Sequence, residues 1–131
     1  MSEQPFKLDF EVRDYECDME GIVNNAVYMN YLEHARHAYL KHKGFDFAAL
    51  TQTGLRLVVI RIGADHLYPL RSGDSFYVTA NAERISKLRF GFSQDIFRSQ
   101  DNKPILNAKV IGTSLNAEGK PAYFTEIEGL F

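Results

Sequence analysis

The chain has 131 residues, 45% of them hydrophobic, with 15 basic and 17 acidic side chains and a formal net charge of −2. Those figures describe a single domain, 1–131, whose core stands without disulfides or metal staples, and they exclude a global field for nucleic acid or an anionic membrane. The lone Cys17 fits a reducing cytoplasm, no apolar run nears the roughly 20 residues that span a bilayer, and Met-Ser-Glu-Gln-Pro lacks a leader's form; a cytoplasmic location is expected.

Phe6, Leu8, Phe10 and Val12 alternate with polar residues, which predicts a first strand with one buried face. The period then changes. Tyr28, Tyr31, Leu32, Ala35, Ala38 and Tyr39 recur at helical spacing, predicting a helix over 25–43. Asn24 or Asn25 caps its start, Lys41, His42 and Lys43 suit its negative end, and Gly44 takes the left-handed closing position. A short helical turn follows over 46–53. After Gly54 the residues become β-branched and aromatic, and four strands are predicted over 55–67, 75–85, 88–98 and 105–115. The tail 122–127 is expected to lengthen the last of them. Short connections predict a four-strand antiparallel meander. The whole reads as α+β, a long helix wrapped by a five- or six-stranded antiparallel sheet. The ten Phe and seven Tyr, with no Trp, must fill that core or line an apolar surface.

The chemistry gathers between the first strand and the helix, in Tyr15-Glu16-Cys17-Asp18-Met19-Glu20-Gly21-Ile22-Val23-Asn24-Asn25. Three acids precede a helix start, where unpaired N–H groups and the positive dipole end face outward. A carboxylate opposite free N–H donors suits acyl transfer: the donors polarise a carbonyl, and the acid attacks it or activates water. The plain alternative is a turn, with Asp18 first and Gly21 fourth, whose acids serve only the dipole.

The run from Val12 through Gly21-Ile22-Val23-Asn24-Asn25-Ala26-Val27-Tyr28 to Glu33-His34-Ala35-Arg36 resembles the signature of hotdog-fold acyl-CoA thioesterases of the 4-hydroxybenzoyl-CoA thioesterase type. Tyr68-Pro69 and Gly73-Asp74 are similar to the family's later layout, and Val-Asn-Asn-Ala is closer to the branch that includes acyl-carrier-protein thioesterases. The resemblance implies a hotdog fold and hydrolysis of acyl-CoA or acyl-carrier-protein thioesters. It makes Asp18 the nucleophile or general base, Gly21 the turn into the active loop, and Asn25 the residue whose backbone N–H polarises the carbonyl. Val23, Asn24 and Tyr28 are then substrate-binding positions. It also implies a homodimer or homotetramer and no cofactor, coenzyme A being part of the substrate.

Arg84, Lys87 and Arg89 bracket a turn. They are a solvated hairpin tip or, as the family implies, the cations that hold coenzyme A phosphates. Glu33 and Arg36 stand at i, i+3 and suit a surface ion pair, and Glu33 is a lesser catalytic candidate because some hotdog enzymes carry their acid on the helix. His34, His37 and His42 lack a third ligand, so no metal site is expected. His66 is a pocket residue or a structural one. Two competitors stand beside the hydrolase. A hotdog hydratase or dehydratase would need a catalytic His, and none lies in residues 1–33. A non-catalytic acyl-thioester binding protein would not need the Asp18 carboxylate.

Overall fold

Alternation from Phe6 to Val12 builds strand β1 (Lys7–Glu11), its Leu8 and Phe10 turned toward the helix and its charged residues outward. The computed structural model describes residues 5–131. Helix α1 (Asn25–His42) begins where Asn24 accepts the Ala26 N–H through its side chain. It ends at Gly44, whose φ of +89° closes the last turn while Phe45 N–H donates to Leu40 C=O at 2.9 Å. Helix α2 (Phe47–Gln52) starts on Asp46, which accepts from Ala48 and Ala49. Strands β2 (Arg56–His66), β3 (Ser75–Thr79), β4 (Asn81–Arg84), β5 (Arg89–Arg98) and β6 (Lys103–Leu115) complete one antiparallel sheet.

The sheet order is β1-β3-β5-β6-β2, with β4 also on β5. This corrects the expected meander. β2 does not lie beside β3; it pairs with β6 at the far edge, from Arg56↔Leu115 to His66↔Leu106. The reason is the segment 67–74, which crosses the helix start instead of turning back: Val23 N–H donates to Leu70 C=O at 2.9 Å, and Leu70 N–H donates to Tyr28 Oη at 3.0 Å. Eight residues suffice for that crossing, so a short connection did not mean neighbouring strands.

Two further expectations change. The strand read as 75–85 is interrupted at Ala80, where the Thr79 hydroxyl accepts the Asp95 N–H at 2.9 Å in place of the main chain. The tail does not extend β6 beyond a single Leu115–Pro121 bridge. It folds into a 3₁₀ segment (Thr125–Leu130) that buries Ile127 and Leu130, and Tyr39 Oη donates to Leu130 C=O at 2.8 Å. Burying two aliphatic side chains, at about 1.5–3 kcal/mol each, outweighs a few edge hydrogen bonds.

Helix α1 buries the stripe Tyr28, Tyr31, Leu32, Ala35, Arg36, Tyr39 and Leu40 against the sheet. The upper core stacks Phe10 on Phe76, with Tyr31 4.7 Å from the Phe76 ring; the lower core gathers Tyr39, Phe90 and Phe92. Most aromatics therefore fill the core. Arg36 in that stripe is a correction too, since it makes no ion pair with Glu33; Glu33 faces His37 instead, at 3.9 Å. The i+4 rhythm from Leu32 to Leu40 carries position 36 inward.

Candidate active site

Residues 12–24 fold over the end of the sheet where β1 ends and β3 begins, pinned by Val12 N–H to Asp74 C=O at 2.9 Å. A 3₁₀ turn at Asp14–Glu16 leads into a small hairpin: Cys17 bridges Val23, and Asp18 N–H donates to Ile22 C=O at 2.9 Å. Its tip is Asp18–Gly21, closed by Gly21 N–H to Asp18 C=O at 3.0 Å, with Gly21 at φ +80°. That conformation disfavours any side chain, which is the physical reason for glycine there. The plain turn reading is thus geometrically right, and it describes the support of a carboxylate.

The acids separate by their commitments. Glu16 Oε1 accepts from Arg13 N–H at 2.8 Å and from Tyr31 Oη at 2.9 Å, and Asp14 accepts from the Ser72 hydroxyl. Asp18 is exposed and uses only Oδ1, which accepts the Glu20 N–H at 2.9 Å. Its other oxygen has no partner among the described residues. Burial is the main cause that raises the Tyr31 phenol above its ordinary value, reinforced by its bond to Glu16. Burial also raises the Cys17 thiol, with Asp14 and Asp18 adding to it.

The helix start supplies the complementary group. Ala26 N–H is satisfied by the Asn24 side chain and Val27 N–H by the Asn24 carbonyl, both at 2.9 Å. Asn25 N–H is left without an acceptor among the described residues, at the positive end of an 18-residue helix. Asn24 N–H in turn donates to Glu16 C=O at 3.0 Å, which locks the hairpin to the helix start. A free carboxylate oxygen and a free amide donor therefore flank one short loop. That pairing of groups suits attack on a carbonyl.

Val23 is buried beneath the loop, and Tyr28 is buried with its hydroxyl on Leu70 and its ring edge-on to His66 at 5.4 Å. These two support the site more than they face solvent. The hairpin carrying Arg84, Lys87 and Arg89 lies at the other end of the sheet, the length of β5 away, about 30 Å. Arg84 is engaged there: it pairs with Glu128, donates to the Ser86 carbonyl and lies over the Tyr123 and Phe131 rings. Lys87 sits 5.7 Å from the Tyr123 ring, and Arg89 is exposed.

Sequence reasoning missed two features. One is the crossing segment around Leu70, which props the hairpin and for which no local pattern exists. The other is an apolar cleft of about 410 Å³ between α1 and β2, lined by residues such as Met29, Leu57, Ile62, Phe90 and Phe92. No group of three His, Cys, Asp or Glu side chains that could hold a metal ion is found among the described residues.

A helix wrapped by a sheet of order β1-β3-β5-β6-β2, with a short hairpin ahead of the helix, is the hotdog architecture. The crystal structure of a hypothetical protein from Aquifex aeolicus superposes with a TM-score of 0.88 at 29% identity, over 97% of this chain and all of that one. A 1,4-dihydroxy-2-naphthoyl-CoA thioesterase from Synechocystis superposes with a TM-score of 0.86 at 18% identity, over 94% and 91%, which speaks to fold alone. The sequence model of the Thioesterase superfamily matches residues 20–105, and the chain belongs to that superfamily. The chloroplastic acyl-acyl carrier protein thioesterase ATL3 of Arabidopsis thaliana is 39% identical over 115 residues, 88% of this chain. This chain spans about three fifths of the length of the two plant relatives it matches, 60% and 61%.

Proposed function

We propose that the protein hydrolyses acyl thioesters of coenzyme A or of an acyl carrier protein to a free acid and a thiol. The observation that carries this reading is an Asp18 oxygen and an Asn25 N–H at the following helix start that both lack partners among the described residues. The carbonyl oxygen docks on Asn25 N–H, which stabilises the developing oxyanion. Asp18 then either attacks the carbonyl carbon itself or takes a proton from a water that attacks it. The C–S bond breaks, the thiolate leaves and is protonated, and water supplies the oxygen of the acid. A carboxylate, an amide donor and water complete the chemistry, with no cofactor called for, and a cytoplasmic setting suits it.

The acyl chain lies in the cleft between α1 and β2, which opens one helical turn below Asn25 at Met29. A second copy of the chain closes this site. Support comes from β2, an 11-residue strand at the sheet edge that exposes Val59, Ile60 and Ile62 at 45%, 47% and 38%. Long apolar edges of this kind demand cover. A two-fold axis across β2 sets the Arg84–Arg89 hairpin of one subunit toward the Asp18 end of the other, where Lys87 and Arg89 meet the phosphates of the thiol carrier.

The test is Asp18→Asn, which keeps the oxygen that accepts from Glu20 and removes the carboxylate. Thiol release from acyl-CoA should fall by about 100-fold or more, with melting temperature and oligomeric size unchanged. Wild-type turnover by a folded Asp18→Asn protein would refute the assignment.

A further inference from the structure

Arg36 is the charged side chain that the fold treats as core. It is 7% exposed on the sheet-facing stripe of α1 and lines the 410 Å³ cleft among Met29, Leu57, Phe90 and Phe92. Its Nη1 donates to Gln94 Oε1 at 3.1 Å, and the fully buried Gln94 turns its own Nε2 to Leu32 C=O at 3.1 Å. No carboxylate among the described residues lies within ion-pair distance of it; Glu33 acts on it only at longer range. Glu33, one turn back, is directed to His37 with more than half of its side chain in solvent. A guanidinium stays charged, and one neutral amide uses a single donor of its five. The cleft thus holds a desolvated cation with unmet hydrogen-bonding capacity on a mainly apolar wall, the half-exposed Glu33 and His37 being its other polar members.

Depth gives this charge a meaning. Arg36 follows Asn25 by 11 residues, roughly 16 Å along the helix, and its side chain leans back toward the N-terminus by up to one turn, so its head lies about 11–16 Å below the oxyanion donor. That distance is the length of about ten carbons of an extended alkyl chain.

We propose that Arg36 sets the reach of the acyl cleft: saturated chains stop short of its guanidinium, and acyl groups that carry a hydroxyl, oxo or carboxylate oxygen at that depth are taken in preference to alkyl groups of equal length. The inference rests on the thioesterase reading and names its substrate class. An alkyl tail driven past Arg36 strips the remaining water from a charge and offers nothing in return; an oxygen at the same place accepts a charge-assisted hydrogen bond. Gln94 is the positioning residue, holding the guanidinium at one height on the wall.

The experiment compares kcat/KM for the saturated series from hexanoyl- to hexadecanoyl-CoA and for matched ω-carboxyacyl-CoA esters, using wild type, Arg36→Met and Arg36→Lys. The double variant Arg36→Met with Gln94→Leu removes both members of the buried pair, so that no amide is left orphaned should the single variant be unstable. Wild type should lose about tenfold or more beyond decanoyl and prefer the ω-carboxy ester of that length by a similar factor, the size of one charge-assisted hydrogen bond. Arg36→Met, or the double variant, should abolish both effects, each read as the ratio of kcat/KM for the longer or ω-carboxy ester to that for hexanoyl-CoA, and Arg36→Lys should keep the preference. A folded Arg36→Met protein with an unchanged chain-length profile overturns the inference. So does one that loses only its dimer, which would mean that Arg36 pairs with a carboxylate of the second copy. If wild type releases thiol from no ester, the thioesterase reading fails by itself; calorimetric binding of the same acyl-CoA series to wild type and Arg36→Met then decides whether Arg36 limits the cleft.

Discussion

Tyr31 Oη donates to Glu16 Oε1 at 2.9 Å, joining the second turn of the long helix to the segment that presents Asp18 two residues later. Glu16 also accepts the Arg13 N–H, and its carbonyl accepts the Asn24 N–H. One residue therefore fixes the Asp18 loop from three directions. Tyr31→Phe removes one of them and leaves the ring packing on Phe76 intact. The expected loss is about 1 kcal/mol in stability. Thiol release should fall severalfold in kcat with little change in KM, because the acyl cleft is untouched. Steady-state kinetics beside a urea melt check it, and an activity loss no larger than the fraction unfolded would count against a positioning role.

The same pair predicts an alkaline limit. Burial first, and then Glu16, hold the Tyr31 phenol above its ordinary value, and burial raises Tyr28 as well. An unfolded tyrosine ionises near pH 10, so above that pH the unfolded state releases protons that the folded state retains, and folding weakens as pH rises. Below about pH 10 these phenols should leave stability flat. Above about pH 10, melting temperatures should fall less steeply with pH for Tyr31→Phe than for wild type.

The edge of β2 predicts the assembly. Ile60 is 47% exposed and does not line the acyl cleft, so Ile60→Glu tests the edge without touching the chain-binding wall. Sedimentation should show the wild type as a dimer or tetramer and the variant shifted toward monomer, with activity lost in proportion. A monomeric wild type with full activity would remove the second copy from the mechanism.

Lys87 and Arg89 test how that copy contributes. Replacing both with Ala should raise KM for CoA esters more than for the matching pantetheine esters, which lack the nucleotide phosphates. Because the hairpin and Asp18 lie at opposite ends of one subunit, the defect should complement in trans. Mixed dimers of the Lys87→Ala/Arg89→Ala chain with the Asp18→Asn chain should recover activity that neither homodimer has at low CoA ester concentration.

The sequence by itself determined most of the elements and the loop that carries the candidate groups. Alternation from Phe6 to Val12 and the helical period from Tyr28 to Tyr39 each report a local side-chain rhythm, and so do the Asn24 cap and the Gly21 turn. Asp18 and Asn25 were legible as candidates for the same reason, the hairpin turn and the helix start lying seven residues apart in the chain. What the tertiary structure decided is non-local. Strand β2 lies beside β6 because the segment around Leu70 crosses the helix start and bonds to Val23 and Tyr28, contacts that no short window contains. The tail turned inward because Ile127 and Leu130 gain more from the core than from a sheet edge. Arg36 reads as a surface charge beside Glu33 until Gln94, 58 residues away, receives it in the interior. Local periodicity fixes which residues share a face, whereas burial depends on what the rest of the chain brings to that face.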